Sequence, residues 1–235
     1  MEVLRPASLA DAAALVRERS DALPVAGGTV VAALLNTGRI APAALIDLSR
    51  LEDLRAWSDD GESIRLGAGL TYADLGSPSL ARRCPALALA AAAVGSVQIR
   101  NRGTLGGCLG AGGGDAVAAL LVERAEVELP FERRVPLEQV LRERPQELVV
   151  ALHVRPVERE RFTKLGRRNA FSPMLLSAAF AVEGAEVRAA ATGPGVEPTL
   201  VSGGADTIAD ELAACASTAY ARHALRVLTA RALAS

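Results

Sequence analysis

The stretch that most constrains this chain runs from residue 94 to residue 122 and contains eight glycines. So many glycines predict neither an ordinary helix nor an ordinary strand, because glycine loses more conformational entropy on folding than any other residue. They are typical of a backbone that turns tightly or approaches a ligand closely, and exposed amides can hold phosphate without many charged side chains. Two interpretations stay open here: a glycine-lined site for a phosphate-bearing ligand, or a tight strand–loop–helix connection with no ligand.

Composition narrows the class of protein. The 235 residues are enough for one large or two small domains. A formal net charge of −1 argues against nucleic acid or an acidic membrane surface as a partner. Two histidines and three isolated cysteines predict neither a metal centre nor a disulfide framework. The sequence shows no apolar run of membrane-spanning length and no signal-peptide core, so we expect a cytoplasmic protein without a membrane span.

The first 50 residues alternate between strand and helix signals. A short strand over 2–4 precedes a helix, with Ser8 as its N-cap and Asp11 three residues on. A second strand leads into Gly27 and Gly28, and the apolar residues after them predict a short helix. This second glycine turn can present amides at a helix N-terminus, where an anion is favoured; a plain strand–turn–helix junction is the other interpretation.

The remaining elements follow from hydrophobic runs bounded by turn residues. Residues 84–94 are apolar nearly all round and predict a buried helix that leads into the glycine stretch. A charged connection over 156–161 is the candidate domain boundary. Strands are predicted over 44–48, 51–54, 63–67, 127–129, 134–136, 148–154, 161–165, 174–182 and 187–191, with helices beginning at 71 and 135 and covering 206–215 and 217–234.

Several segments carry a resemblance to one family. Residues 97–107, VQIRNRGTLGG, resemble the Q-I-R-N-x-G-T-x-G-G-N signature of the FAD-binding (medium) subunits of molybdenum hydroxylases, the xanthine dehydrogenase and carbon monoxide dehydrogenase family. Residues 25–29 resemble that family's other flavin loop, A-G-G-T. Further similar segments follow in the family's order over 67–75, 134–140, 161–168 and 217–233.

The resemblance implies an α+β fold in two parts. Residues 1–156 would form a two-subdomain FAD-binding fold of the PCMH type, with subdomains of about 1–52 and 53–156. Residues 157–235 would form a small C-terminal α/β domain of the CO dehydrogenase flavoprotein type.

The resemblance also implies where FAD would bind. The backbone over 26–29 and 104–108 would cradle the diphosphate from two sides, with the Thr104 hydroxyl as an added donor. Asp115 matches an acidic position near the flavin or ribityl hydroxyls. Lys164, the one lysine in the sequence, matches a lysine near the flavin ring, where positive charge tunes the potential. The residues implied to bind FAD are Val25, Ala26, Gly27, Gly28, Thr29, Val30, Thr104, Gly106, Gly107, Cys108, Asp115 and Lys164.

The sequence departs from the family pattern close to these positions. Cys108 replaces an asparagine, and the stretch from Gly107 to Asp115 is about two residues short. Ser172 stands where the family often has aspartate, and the segment over 142–147 is compressed. Three interpretations stay open for Arg100 and Arg102: they face the diphosphate, they face a partner subunit, or they are solvated.

Three functions follow from these observations. The resemblance implies an electron-transfer subunit that takes electrons from partner [2Fe–2S] clusters and passes them through FAD to NAD or another acceptor. It also implies a molybdopterin-binding large subunit and a [2Fe–2S] small subunit as partners. The departures favour an alternative, a scaffold subunit with weak or no flavin binding. A stand-alone flavin oxidase is the third candidate, with Tyr72, Tyr220, His153 and His223 as its candidate groups; we expect both histidines to be structural.

Overall fold

The structure, a computed structural model, describes residues 1–167 and 174–234. Its first layer is a parallel sheet in the order β1-β3-β2, flanked by two helices. The predicted capping of the first helix is confirmed, because the Ser8 hydroxyl accepts a hydrogen bond from the Asp11 amide at 3.1 Å. The elements are β1 (Glu2–Leu4), α1 (Leu9–Glu18), β2 (Ala22–Val25), α2 (Thr29–Asn36) and β3 (Ala44–Asp47).

The second sheet is antiparallel, in the order β4-β5-β8-β6-β7. Its strands are β4 (Trp57–Asp59), β5 (Ile64–Gly67), β6 (Glu126–Leu129), β7 (Arg133–Pro136) and β8 (Ala151–Val154). Between β5 and β6 the chain is helical, with α3 (Tyr72–Leu75), α4 (Pro78–Arg83), α5 (Pro85–Ala92), α6 (Val97–Arg100), α7 (Leu105–Gly110) and α8 (Asp115–Val122); α9 (Leu137–Glu143) follows β7.

The strand predicted over 51–54 is wrong. The structure has a 3₁₀ helix at Glu52–Arg55 instead, and its backbone is drawn against the end of β5. The Gly69 amide donates to the Leu54 carbonyl at 2.7 Å, and a Cβ at Gly67 would lie 2.2 Å from that same oxygen. Glycine is therefore required for this close approach, and the Leu54 carbonyl is used in a turn rather than in a ladder.

The expectation that the glycine stretch avoids regular structure is wrong for part of it. Gly106, Gly107 and Gly110 lie within the short helix α7. Gly106 is there because a Cβ would come within 2.9 Å of the Ala68 methyl group. Helix–backbone packing thus accounts for one of the glycines that suggested a ligand loop.

The third sheet is antiparallel, in the order β12-β11-β10-β9, with two helices on one face. The last of these strands was missed by the sequence analysis, and β9 begins inside the stretch predicted as a connection. The elements are β9 (Arg159–Gly166), β10 (Met174–Glu183), β11 (Glu186–Thr192), β12 (Leu200–Gly203), α10 (Ile208–Ala214) and α11 (Ala219–Ala234).

The largest hydrophobic cluster joins the second sheet to the third. It includes residues of α5 and α8 together with Ala179, Ala181 and Ala190 from β10 and β11. Every residue of α8 is buried, and this helix packs directly on β10 and β11. On the opposite face of the third sheet, α10 and α11 pack against the strands in a separate hydrophobic cluster.

A buried carboxyl pair lies beneath the C-terminal end of α8. Neither side-chain oxygen of Glu123 has a hydrogen-bond partner among the described residues, and the residue is fully buried. Glu160 accepts hydrogen bonds from the amides of Ala86 and Val157, each at 3.2 Å. Burial, with the neighbouring Glu160 second, raises the pKa of Glu123 well above its ordinary value.

Candidate functional site

The first predicted loop connects β2 to α2 at the edge of the parallel sheet. Gly28 is the N-cap of α2 with a φ of 72°, and no side chain caps the helix. The amides of Gly27, Gly28 and Thr29 have no acceptor among the described residues. Free amides at a helix N-terminus, together with the helix dipole, favour an anion. This loop can therefore bind a phosphate oxygen, as predicted for residues 25–30.

The second predicted loop is capped differently. Thr104 is the N-cap of α7, and its hydroxyl accepts from the Gly107 amide at 3.2 Å. The amide of Leu105 donates to the Leu70 carbonyl, that of Gly106 to the Ala68 carbonyl, and that of Cys108 to the Thr104 carbonyl. The amides of residues 105–108 thus have acceptors within the protein, whereas the Thr104 amide has none among the described residues. What this loop still offers to a ligand is the amide and the hydroxyl hydrogen of Thr104.

The two loops meet face to face. A Cβ on Gly27 would lie 1.8 Å from the Arg102 carbonyl oxygen, and the Arg102 guanidinium donates to the Gly27 carbonyl at 3.4 Å. Only glycine fits at position 27, because any side chain there would keep the two loops apart.

A cavity of about 240 Å³ opens where the two loops meet. Its lining carries two guanidinium groups, Arg55 and Arg102, and no carboxylate. Arg102 thus faces the cavity, whereas Arg100 binds the carbonyls of Val94 and Gly95 at 3.1 and 2.8 Å and holds its own loop. The full lining is Ala26, Gly27, Leu48, Ser49, Leu51, Leu54, Arg55, Gly69, Thr71, Asn101, Arg102 and Thr104.

Cys108 lies away from this cavity. Its side chain is buried in the core, and a Cβ on Gly114 would lie 3.1 Å from its sulfur. Burial raises the pKa of the Cys108 thiol to about 11. The thiol is therefore neither an exposed ligand group nor a reactive nucleophile in this structure.

The other two predicted polar residues, Asp115 and Lys164, form an ion pair. Lys164 Nζ lies 2.7 Å from Asp115 Oδ2 and 2.8 Å from the Ala93 carbonyl oxygen. The side chains retain 18% and 8% of their exposure, so the pair is largely shielded from water. Helix α7 and the four residues after it connect Asp115 to Thr104 at the cavity.

Ser177 completes this cluster and was missed by the sequence analysis. Its hydroxyl donates to Asp115 Oδ1, and the residue is fully buried. It pairs with Lys164 across the β9–β10 ladder. The available signal was a lone hydroxyl in the apolar run over 174–182, at a position opposite Lys164 in a hairpin. Ser172, the other departure noted in this region, lies outside the described residues.

Two of the groups proposed for a flavin oxidase, His153 and Tyr72, are buried within the protein. His153 Nε2 lies 2.6 Å from Glu128 Oε2, and Arg65 binds the same carboxylate at 2.8 and 2.9 Å. The Arg65 hydrogen bond holds the pKa of Glu128 below its ordinary value. Tyr72 is packed in the core, and burial raises its pKa. His153 is therefore a structural residue of the second sheet, as expected.

The part of the chain that the structure describes has no helix long and apolar enough to cross a membrane.

Two named proteins are similar to this chain in sequence. The nicotine 6-hydroxylase medium subunit of Paenarthrobacter nicotinovorans is 34% identical over 131 residues, covering 54% of this chain and 46% of that protein. The carbon monoxide dehydrogenase medium chain of Hydrogenophaga pseudoflava is 38% identical over 104 residues, covering 43% of this chain and 36% of that protein. The sequence matches thus span less than half the length of these relatives.

Solved structures extend the likeness to the whole chain. A carbon monoxide dehydrogenase from Hydrogenophaga pseudoflava that lacks the Mo-pyranopterin moiety matches with a TM-score of 0.86 at 26% identity, covering 100% of this chain and 96% of that one. Quinoline 2-oxidoreductase from Pseudomonas putida 86 shares the fold, with a TM-score of 0.84 at 22% identity. The predicted α+β fold is confirmed. Residues 1–156 match the family described as the FAD binding domain in molybdopterin dehydrogenase, and the chain therefore belongs to that family.

Proposed function

We propose that this chain binds FAD and acts as the electron-transfer flavoprotein subunit of a molybdenum hydroxylase. The observation that carries the proposal is the junction of the two loops. There Gly27, the first of three residues with unpaired amides before and at the start of α2, lines a small cavity together with Arg55 and Arg102. Such donors match the many oxygens of a diphosphate. The names of the relatives, medium subunits of hydroxylases and dehydrogenases, support it.

The residues at the cavity and in the adjoining turn fit the diphosphate part of FAD. The amides of Gly27, Gly28 and Thr29 would bind one side of it, and the Thr104 hydroxyl would donate from the other. Arg102 lies against the same glycine turn and would neutralise charge. Arg55 and Arg102 would supply positive charge to the diphosphate. The second loop contributes less, because its amides at 105–108 already donate to acceptors within the protein.

The Asp115–Lys164 pair would serve the flavin end. Bound FAD supplies the redox chemistry, accepting and passing on electrons, while the protein sets position and electrostatics. Lys164 would hold positive charge near the ring and so favour the reduced cofactor. Asp115 would fix that ammonium in place and limit its net field.

The route of the electrons belongs to the same proposal. Electrons would enter from [2Fe–2S] clusters on a small subunit, which in turn serve a molybdopterin-binding large subunit, and would leave to NAD or another acceptor. The relatives named as medium subunits and chains support such an assembly. The described residues contain no group of histidine, cysteine and acidic side chains able to hold a metal ion, so the metal centres would lie on partners.

The proposed division into 1–52, 53–156 and 157–235 follows the same family pattern. The three cysteines are unpaired, which supports the proposed cytoplasmic location.

The test is a visible absorption spectrum of the purified chain before and after FAD is added, with chromatographic identification of any released nucleotide. Stoichiometric flavin would support the proposal. Gly27→Ala should weaken FAD binding at least about tenfold, because its methyl group would separate the loops. Gly110→Ala has open space at its Cβ and should bind normally. Absence of any spectral shift at excess FAD would contradict the proposal for the isolated chain.

One observation favours the second candidate, a scaffold subunit. The amides of residues 105–108 and both carboxylate oxygens of Asp115 already have partners within the protein. A chain that fails to bind FAD, yet co-purifies with large and small subunits, would support this function instead.

A further inference from the structure

Three side chains form a row at one end of the third sheet. Lys164, Ser177 and Thr192 are cross-strand partners on β9, β10 and β11, and the row faces the N-terminal end of α8. Asp115 is the first residue of that helix and contacts two of the three side chains. Thr192 donates to the Gly114 carbonyl at 3.4 Å, one residue before Asp115. The row therefore holds the start of α8 to the sheet.

The two oxygens of the Asp115 carboxylate are divided between two donors. Oδ2 accepts from Lys164 Nζ, and Oδ1 accepts from the Ser177 hydroxyl. An ionised carboxylate can only accept, so the serine must be the donor. Ser177 has no exposed surface, so no solvent molecule can replace its hydroxyl without rearrangement.

Because each carboxylate oxygen has its own donor, the carboxylate group of Asp115 is held in one orientation. The terminal torsion of an aspartate side chain is broad, so hydrogen bonds decide which oxygen faces which donor. With Oδ1 held by Ser177, Oδ2 stays aimed at the ammonium group. Lys164 uses a second N–H on the Ala93 carbonyl at 2.8 Å, which fixes the nitrogen between helix α5 and helix α8.

We infer that Ser177 is a positioning residue that orients Asp115 and, through it, the Lys164 ammonium group that the proposed function assigns to the flavin end of the site. Only the part of the inference that concerns FAD rests on the proposed function. The arrangement of the three side chains can be tested on the chain alone.

The chain offers a selective chemical probe of this arrangement. Lys164 is the only lysine in the sequence, so an acetylating N-hydroxysuccinimide ester has two amines to react with, Nζ of Lys164 and the α-amino group at the N-terminus of the purified protein. Peptide mass spectrometry separates the two, and the rate at the α-amino group serves as an internal reference in every sample. An ammonium group held by a carboxylate is acylated slowly, so the rate ratio reports the ion pair.

We expect Ser177→Ala to raise the Lys164 labelling rate about threefold and Asp115→Asn to raise it about tenfold, because charge-assisted hydrogen bonds are lost in each. In the Asp115→Asn background, Ser177→Ala should add nothing, since the serine acts through the carboxylate. Ser202→Ala, the same change at an exposed position on β12, should leave the rate unchanged. An unchanged rate in Ser177→Ala, or effects that simply multiply in the double variant, would overturn the inference.

A titration of the wild type and the same four variants with FAD separates this inference from the proposed function. If the wild-type chain shows no spectral shift with FAD, the proposed function fails, while the labelling result stands as evidence on Ser177. If FAD binds and shields Lys164 from acetylation, a weaker shielding in Ser177→Ala supports the inference. If the wild type and Ser177→Ala show the same labelling rate and the same shielding by FAD, the inference is overturned while the proposed function stands.

Discussion

The ammonium nitrogen of Lys164 lies 2.7 Å from Oδ2 of Asp115, so a strand of the third sheet is tied by charge to the first residue of α8. Both side chains are mostly buried. Removing one partner of such a pair leaves the other charge desolvated, which costs about 3–5 kcal/mol.

Lys164→Met should therefore lower the free energy of unfolding by about 3 kcal/mol or more, because Asp115 is left buried without its cation. The double variant Lys164→Met with Asp115→Asn should recover most of that loss, since no unpaired charge remains. Urea denaturation of the wild type, both single variants and the double variant measures the coupling. Equal losses in the Lys164 single and double variants would contradict this account.

The free energy of unfolding depends on the protonation of Glu123. The direction of this dependence is opposite to that for a carboxyl group whose pKa is lowered on folding. Burial and Glu160 raise its pKa in the folded state above that of the unfolded chain. The folded protein then holds the proton longer, so the free energy of unfolding falls as pH rises from about 4.5 towards the raised value. Cys84 and Glu160 face the same buried space, and burial raises the pKa of each, while Arg188 lies close to Glu160.

Glu123→Gln should accordingly stabilise the protein at pH 8 by about 1–3 kcal/mol and flatten the pH dependence of its unfolding between pH 5 and pH 9. The measurement is chemical denaturation at several pH values. Glu158→Gln, at an exposed position nearby, is the matched control and should change neither quantity. A variant whose stability declines with pH as steeply as the wild type would argue against a proton on Glu123.

Gly27→Ala should destabilise the chain by about 1–3 kcal/mol, because the new methyl group would overlap the Arg102 carbonyl, which is backbone and cannot move aside alone. If FAD binds as proposed, its affinity should fall at least about tenfold in this variant. Gly110→Ala provides the comparison: its Cβ meets open space within a helix, so it should be neutral or slightly stabilising. Urea denaturation and FAD titration of both variants test the prediction.

The three thiols should react with Ellman's reagent at different rates. Cys84 and Cys108 are buried, and burial raises the pKa of each thiol, whereas Cys215 is partly exposed. At pH 8 the native chain should lose one thiol first, and all three should react in denaturant. Cys215→Ser should remove the early phase. A fast phase that persists in that variant would show that one of the buried thiols is accessible.

Local sequence signals predicted local structure well. Ser8 with Asp11 identified the start of α1, and the double glycine at 27 and 28 identified the turn before α2. These features depend on residues within a few positions of one another, so spacing alone carries the information. The hydrophobic runs over 127–129, 134–136 and 174–182 likewise predicted the strands β6, β7 and β10.

The errors arose where a distant backbone competes for hydrogen bonds. Residues 51–54 read as a strand, but the Leu54 carbonyl is taken by Gly69 in a turn. The amides of 105 and 106 suggested an anion cradle, yet they donate to the carbonyls of Leu70 and Ala68. Ser177 was missed because its partner, Asp115, is 62 residues away in sequence. Such partners become visible only when the sheets and helices are brought together.

Helix α8 packs on helix α5, which precedes residue 156, and on strands β10 and β11, which follow it. A gene fragment that stops at this residue would encode the whole stretch that matches the family model, and yet it would leave helix α8 without the two strands that cover it. The exposed alanines, leucines and valines would then be free to associate with other chains. The stretch that matches the family model is therefore shorter than the set of elements that buries α8.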